Sequence, residues 1–398
     1  MEEIFKKIAA LTSRGMDFGT SRTRKILDGL GSPDKKLKII HIAGTNGKGS
    51  TAEYLTQILI AAGKRVGTFT SPFVYSYFEQ FRIEGEPIGQ KELAQSFSRV
   101  YGIGEQLGAT AFEVETAGAI CAFAEGGCEY AVIECGLGGR YDATNAVAKK
   151  EVAVITSISL EHTKILGATL EEICYHKSGI INCCPAIVNP LQPQEVLNYF
   201  KSLNAYIPDK PQITGARSFN YNGMDYRLST YGAAQAYNAV TAIEAAYLLK
   251  LPEAAIKRGI ESAKIQGRLE VLKADGKTYI LDGAHNPAAF LPLTQLLKDC
   301  GGNAMVIYGC LSDKDFSGCL SVLAACAKKI IAVPTAGVRA SNTDKVFAEC
   351  KKYFKRAVRA ESVTEALRKA EGQTIAVCGS FTILKQAKTW IENKIPNK

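Results

Sequence analysis

Residues 39–50 read Ile-Ile-His-Ile-Ala-Gly-Thr-Asn-Gly-Lys-Gly-Ser, and no other stretch constrains the chain as tightly. An apolar run, Ile39 to Ala43, breaks at a glycine-rich loop, after which Tyr54, Leu55, Ile58, Leu59 and Ala62 recur three and four apart. That order predicts strand, loop and helix. Such a unit cradles phosphate: glycines let backbone N–H groups turn inward, the helix N-terminus adds partial positive charge, and a lysine reaches the outer phosphates. The candidates are Gly44, Thr45, Asn46, Gly47, Lys48, Gly49 and Ser50. The loop departs from the usual GxxxxGK[ST] pattern, because Gly49 stands where a metal-binding hydroxyl normally follows the lysine. An oxygen ligand for magnesium must then come from elsewhere in the chain.

A chain of 398 residues exceeds one ordinary core and predicts two domains. With 46% hydrophobic and 22% charged residues, its composition is that of a soluble globular protein. The 48 basic and 39 acidic residues leave a formal charge of +9, which suits anionic ligands such as nucleotides. No Lys/Arg block interleaved with aromatics occurs, which argues against a nucleic-acid partner. Met1 to Lys7 carries no apolar signal segment and no run is long enough to span a bilayer, so a cytoplasmic protein with no membrane partner is expected. Twelve cysteines sit scattered in apolar segments, as at Cys121, Cys135, Cys326 and Cys378, without a CxxC pair. Reduced, mostly buried thiols are expected.

Further along, 66–69 predicts a second strand, 112–124 a helix, 130–135 a buried strand ending at Gly136-Leu137-Gly138-Gly139-Arg140, and 152–157 a strand running into Glu161-His162. This alternation predicts a parallel α/β sheet, whose ligands gather at the carboxyl ends of the strands. Residues 44–50, Ser71-Pro72, 136–145 and Glu161-His162 all fall at such ends and should share one crevice. The polar region 204–230 predicts short antiparallel strands, and 233–249 a long helix. Ile265 to Arg268 reads as a hinge. A second strand–loop–helix series starts at Tyr279-Ile280-Leu281 and closes with Ile375 to Cys378 before Gly379-Ser380. The expected architecture is α/β: a large N-terminal P-loop ATPase domain with a parallel sheet, residues 1–266, and a smaller C-terminal Rossmann-like α/β domain, residues 267–398.

These motifs follow one another in a fixed order: HIAGTNGKGS, TSPF with Glu79 and Arg82, FEVETA, ECGLGGRYDATN, TSISLEHTKILG, HKSGI, QAYNA, GRLEV, DGAHNP, SDKD and GSF. With them the chain resembles, over essentially its whole length, the folylpolyglutamate synthase/dihydrofolate synthase family, within the Mur ligase superfamily of ATP-dependent amide-forming enzymes. The resemblance implies transfer of the ATP γ-phosphate to a substrate carboxylate and capture of the acyl phosphate by the amino group of L-glutamate. The substrates implied are folates (tetrahydrofolate polyglutamylation), with dihydropteroate as companion. Phosphoryl transfer needs mainly positioning and charge neutralisation, which fits a site of lysine, magnesium and anion-binding backbone.

By the same resemblance, Glu134 and Ser71 are magnesium ligands, Ser71 supplying the hydroxyl that Gly49 lacks. His162 is a further ligand. Lys177 matches a lysine that the family often carries as a carbamate, a carboxylate able to ligate a second magnesium. Lys48, His162 and Lys177 are thus the catalytic set, with ATP and two Mg2+ ions; Lys177 is expected on a solvent-facing helix, and its neighbour His176 reads as a polar helix residue. Gln235 and Asn238, three apart on one helix face, are expected to offer donor and acceptor to adenine. Arg268 is assigned to the ATP phosphates, Asp282 to ribose hydroxyls with a helix N-cap as its alternative, His285 to the nucleotide, and Ser380 to glutamate.

Phe73, Arg82 and Asp142 are implied on the folate side. The rings of Phe73, Tyr75, Tyr77 and Phe78 could stack on a flat heterocycle or pack on their own core. Asp142 matches an aspartate that bifunctional relatives use for dihydropteroate. The chain departs from the family at Gln80, Glu161, Ala234 and Ile265-Gln266. Two rival readings stand beside this one. A Mur-type ligase acting on a peptidoglycan precursor normally carries a separate N-terminal domain, and only 43 residues precede Gly44 here. A non-catalytic ATP-binding protein does not need Lys48, Glu134, His162 and Lys177 together. A monomer acting on small molecules is expected.

Overall fold

Ile39, Ile40 and Ile42 have no exposed surface because their strand, β1 (Lys38–Ala43), lies inside a seven-stranded sheet. The computed structural model describes residues 2–15, 17–337 and 339–395. The sheet continues with β2 (Val66–Phe69), β3 (Phe81–Ile83), β4 (Glu86–Pro87), β5 (Tyr130–Glu134), β6 (Val152–Ile155) and β7 (Ala186–Val188), in the spatial order β4-β3-β2-β5-β1-β6-β7. Pairing is parallel from β2 through β7, as the strand–helix alternation predicts. The two remaining edge strands, β3 and β4, are antiparallel and were not foreseen: three and two residues are too short for a period to show.

Register brings the chemistry level. Ile42 pairs with Glu134 on one side and with Val154 on the other, so the loops leaving β1, β5 and β6 emerge side by side. One face of the sheet is covered by the helices Gln90–Gln106 and Ala111–Glu125, whose Phe97, Val114 and Phe123 join Phe69 and Phe81 in a single core. Thr110 and Glu113 form a reciprocal cap that starts the second of these helices. Further along the same face, Ile155, Ile173, Val188 and Phe200 form a second cluster. The region expected to hold short strands forms β8 (Gln212–Gly215), β9 (Ser218–Tyr221) and β10 (Met224–Arg227), of which β9 and β10 are antiparallel. The helix Ala233–Leu248 follows.

The chain divides into two compact units, with the main break between Ala263 and Lys264. The second unit is a six-stranded sheet of β11 (Glu270–Ala274), β12 (Lys277–Asp282), β13 (Ala304–Tyr308), β14 (Ala327–Ala332), β15 (Arg356–Arg359) and β16 (Thr374–Cys378), ordered β11-β12-β16-β13-β14-β15. All its pairs are parallel except β11 with β12. The series therefore starts one strand before Tyr279. β11 is mostly half-buried and polar at Glu270 and Lys273, so its sequence shows no apolar run. Among the described residues no helix is long and apolar enough to cross a membrane.

The helix after the phosphate loop, Lys48–Ala61, is backed by the helix Glu253–Ser262 at unusually close range. A Cβ on Gly259 would fall inside contact distance of the Ile58 backbone N and Cα, atoms that cannot swing aside. Helix propensity alone would have alanine gain about 1 kcal/mol over glycine here. Overpacking against rigid neighbours costs about 1–3 kcal/mol. Gly259→Ala is therefore expected to lower the melting temperature; an unchanged or raised value would show that the two helices part freely.

Candidate active site

The phosphate loop is tied down on every side. Gly47 caps the helix Lys48–Ala61 with φ at 94°, a left-handed conformation, and a Cβ there would come within 2.5 Å of Asn238 Oδ1. Glycine is required on both counts. Thr45 N and Asn46 N donate to Ser157 O at 2.8 and 3.2 Å, and Thr45 Oγ1 donates to Ser159 O at 3.1 Å. Ser50 is buried in the first turn of the helix. The Lys48 ammonium curls back over its own loop, donating to Gly44 O and Thr45 O, each at 3.3 Å.

Three other strand ends meet this loop. Glu134, the last residue of β5, is buried and lies 3.9 Å from Lys48 Nζ. Ser71, just beyond β2, donates its backbone N–H to Glu134 Oε2 at 3.4 Å. A Cβ on Gly49 would sit 3.4 Å from that same oxygen, so the helix start lies directly against the carboxylate. The loop after β6 carries Glu161 and His162, whose Nε2 is 3.9 Å from Glu161 Oε1.

Lys177 differs from expectation. It is not on a solvent-facing surface but buried, and its ammonium donates to Gly44 O at 2.7 Å. The cause is the end of the helix Leu170–Ser178, which docks on the Gly138-Gly139-Arg140 turn: Arg140 N donates to His176 O at 2.7 Å, and no side chain on Gly139 keeps the helix end away. Burial, with the Lys48 charge nearby, brings the Lys177 amine down to about 7, against the opposing pull of Glu161. His176 lies edge-on to Tyr141 and Tyr175.

Gln235 and Asn238 do share one face of the helix Ala233–Leu248, and both are buried. Asn238 donates to Gln235 Oε1 at 3.4 Å and accepts from Asn189 Nδ2 at 3.2 Å. Asn189 was missed by sequence reasoning, although a polar residue directly after an apolar strand was a usable signal. In the second unit, Asp282 ends β12 beside Cys378 of β16, and Ser380 caps the helix Phe381–Glu392 that follows. Arg268 stacks 4.7 Å from the centre of the Phe381 ring, and His285 donates from Nδ1 to Gly283 O at 2.9 Å. Burial raises the Asp282 carboxyl to about 6, with Arg268 opposing. The N-cap of the helix Pro287–Asp299 is Asn286, not Asp282.

The aromatic loop after Ser71 is organised by Glu79, whose carboxylate accepts from the N–H groups of Val74, Tyr75 and Ser76. Tyr77 and Phe78 pack edge-on against Phe5, and Tyr77 donates to Glu115 at 2.9 Å. Phe73 is exposed. Arg82 is engaged by Glu53 at 2.6 Å. Gln80 is buried and donates to Tyr77 O. Asp142 holds its own turn: Oδ2 accepts from Leu137 N at 2.7 Å, and Oδ1 accepts from Thr144 N at 3.0 Å and from Thr144 Oγ1 at 2.5 Å.

A buried and a half-buried lysine with a strand-end carboxylate around a glycine loop define a nucleotide-dependent ligase of the Mur type. The Mur ligase middle domain matches residues 42–246, and the Mur ligase glutamate ligase domain matches residues 267–381. The dihydrofolate synthase/folylpolyglutamate synthase of Escherichia coli K12 is 33% identical over 390 residues, 93% of this chain and 90% of its own. A structure of Escherichia coli FolC in complex with DHPP and ADP superposes with a TM-score of 0.88 at 30% identity over 98% of each chain. A bifunctional folylpolyglutamate synthase/dihydrofolate synthase with Mn, AMPPNP and L-glutamate bound gives 0.85, also at 30% identity and 98% of each chain. The chain belongs to the dihydrofolate synthase/folylpolyglutamate synthase family of the Mur ligases.

The depressed Lys177 amine has a consequence for stability. An unfolded chain keeps that proton up to the ordinary 10.5, the folded chain only to about 7. Between those values the unfolded state binds more protons, so folding stability rises with pH, and the penalty of burying the amine is fully present only below about 7. Denaturant midpoints across this window should rise for the wild type relative to Lys177→Met, which keeps the side-chain volume. Parallel pH profiles would show that Lys177 is not held as a free amine.

Proposed function

We propose that this chain joins L-glutamate to folates, and to dihydropteroate, in an ATP-dependent reaction through an acyl phosphate. The observation that carries the reading is the convergence of Lys48 and Lys177 on the Gly44 carbonyl beside Glu134. Membership of the family supports it, as do the names and ligands of the similar structures. A peptidoglycan ligase or a silent nucleotide binder is not favoured.

The chemistry then runs in two displacements. An oxygen of the substrate carboxylate attacks the γ-phosphorus of ATP, and the bond to the bridging oxygen breaks to release ADP. The glutamate amine next attacks the acyl carbon, loses a proton, and phosphate departs. Lys48 and the N–H groups of residues 47–49 hold the transferring phosphoryl group; Gln235 and Asn238 read the base. Glu134 and the Ser71 hydroxyl are hard oxygen donors suited to a divalent cation, and His162 is the further ligand of this reading. Magnesium, when bound there, offsets phosphate charge. A second ion and a carbamate on Lys177 belong to the same reading: a neutral amine is the form that adds CO2, and burial holds the Lys177 amine well below its ordinary value.

In the second unit, Arg268, Asp282 and His285 are the nucleotide residues and Ser380 the glutamate residue. On the substrate side, exposed Phe73 offers a ring face to a pterin, Arg82 steadies the strand below that loop through Glu53, and Asp142 shapes the pocket through the turn it closes. We take one chain as the working unit, since the phosphate loop, Glu134 and Lys177 all come from it. The twelve free cysteines support a reducing, cytoplasmic setting.

The test is a substrate panel. Purified protein with ATP, magnesium and glutamate should form ADP with either dihydropteroate or tetrahydrofolate, and no turnover of either would overturn the proposal. Glu134→Gln and Lys48→Met should each lower kcat by roughly a hundredfold or more, the scale of losing one preorganised charge partner. Asp142→Asn should raise KM for dihydropteroate more than for tetrahydrofolate; equal effects would mean that the turn serves general geometry only.

A further inference from the structure

Behind the Asp142 turn runs a buried polar chain that the reaction as described does not use. His41 is the one polar side chain on the buried part of β1, otherwise Ile39, Ile40, Ile42 and Ala43, and it has no exposed surface. Its Nε2 lies 2.8 Å from Thr144 Oγ1 and 3.1 Å from Cys135 Sγ, whereas Nδ1 is buried without a hydrogen-bond partner. Thr144 Oγ1 in turn lies 2.5 Å from Asp142 Oδ1. A histidine in an apolar strand interior, with one nitrogen unpaired, costs free energy that an aliphatic residue would not.

The proton directions follow from the donor inventory. Three donors converge on the Asp142 carboxylate, from Leu137 N, Thr144 N and Thr144 Oγ1, and an ionised carboxylate only accepts. The Thr144 hydroxyl, 2.5 Å from Asp142 Oδ1 and 3.4 Å from Cys135 Sγ, spends its one proton on the nearer and charged carboxylate and must accept from His41. That places the proton on His41 Nε2. Burial and the Lys150 charge hold the imidazole well below its usual range, so the ring is neutral and Nδ1 is bare, in keeping with a nitrogen that has nothing to donate to.

We propose that His41 is a positioning residue: as the Nε2–H tautomer it fixes the Thr144 hydroxyl, and through it the Asp142 carboxylate and the 137–144 turn, tying the substrate-side turn to the strand that delivers the phosphate loop. The same β1 strand ends at Ala43, one residue before the loop begins, so pterin acid and γ-phosphate are referred to a single rigid element. This rests on the reading of the Asp142 turn as part of the substrate pocket.

Nitrogen NMR on histidine-labelled protein reads the tautomer directly, and the chain has only four histidines. The signal that disappears in His41→Gln should be a neutral ring protonated at Nε2; a ring protonated at Nδ1, or a cationic one, overturns the relay. In steady-state kinetics, His41→Leu should raise KM for dihydropteroate roughly three- to tenfold, the scale of one lost hydrogen bond, and leave KM for ATP within about twofold. His41→Gln, whose amide can stand in for Nε2–H, should recover most of the loss. Thr144→Val breaks the same link from the other side and serves if His41→Leu does not fold. In an Asp142→Asn background, His41→Leu should add nothing. Additive losses, or an equal rise in KM for ATP, overturn the role of His41 and leave that of Asp142 standing. An Asp142→Asn enzyme with unchanged KM for dihydropteroate overturns the substrate reading of the turn, and the positioning role with it.

Discussion

Two ammonium groups sharing one carbonyl oxygen is the constraint from which the site follows. Lys48 and Lys177 both donate to Gly44 O. Two positive charges that close repel, and the arrangement survives because each charge is answered. Glu134 stands beside Lys48, and Lys177 gives up its proton readily. The loop is left cationic enough to attract a polyphosphate but not so charged that its own folding fails. Every neighbouring element is placed to serve this balance: β5 ends in the carboxylate, the loop after β6 receives Thr45 and Asn46, and a helix end pressed onto Gly139 delivers the second lysine.

The strand–loop–helix at residues 39–61 was legible because a glycine run between an apolar stretch and a helical period has few other solutions. The parallel order of β2, β5, β1, β6 and β7 was legible for a similar reason, since buried parallel strands read as continuous apolar segments. What escaped was set by contacts distant in sequence. Lys177 sits in a helix rich in Glu, His and Lys that reads as solvated, and only its docking on the glycine turn buries it. Asp142 is the local exception: the resemblance marks it for the substrate, and only the folded turn shows that Leu137 and Thr144 occupy its carboxylate. His41 hides inside an apolar run, where no period marks it as different from its neighbours. β11 lacked an apolar pattern altogether.

The second unit repeats the rule that chemistry collects at strand ends. Asp282 and Ser380 leave neighbouring parallel strands, and the Phe381 ring supports the flat face of Arg268. Asp282 is itself buried, so little water reaches that end of the sheet.

The close seating of Gly259 on the backbone of Ile58 also bears on how the chain is made. The phosphate-loop helix leaves the ribosome early, whereas the segment that covers its outer face is synthesised long afterwards. Until Glu253–Ser262 arrives, the sheet can assemble but one side of that helix stays bare and apolar, the kind of surface on which nascent chains associate or recruit chaperones. A fragment stopped short of residue 253 would therefore hold every strand of the first sheet and still lack a finished core, so the nucleotide site matures only well after its signature has been synthesised.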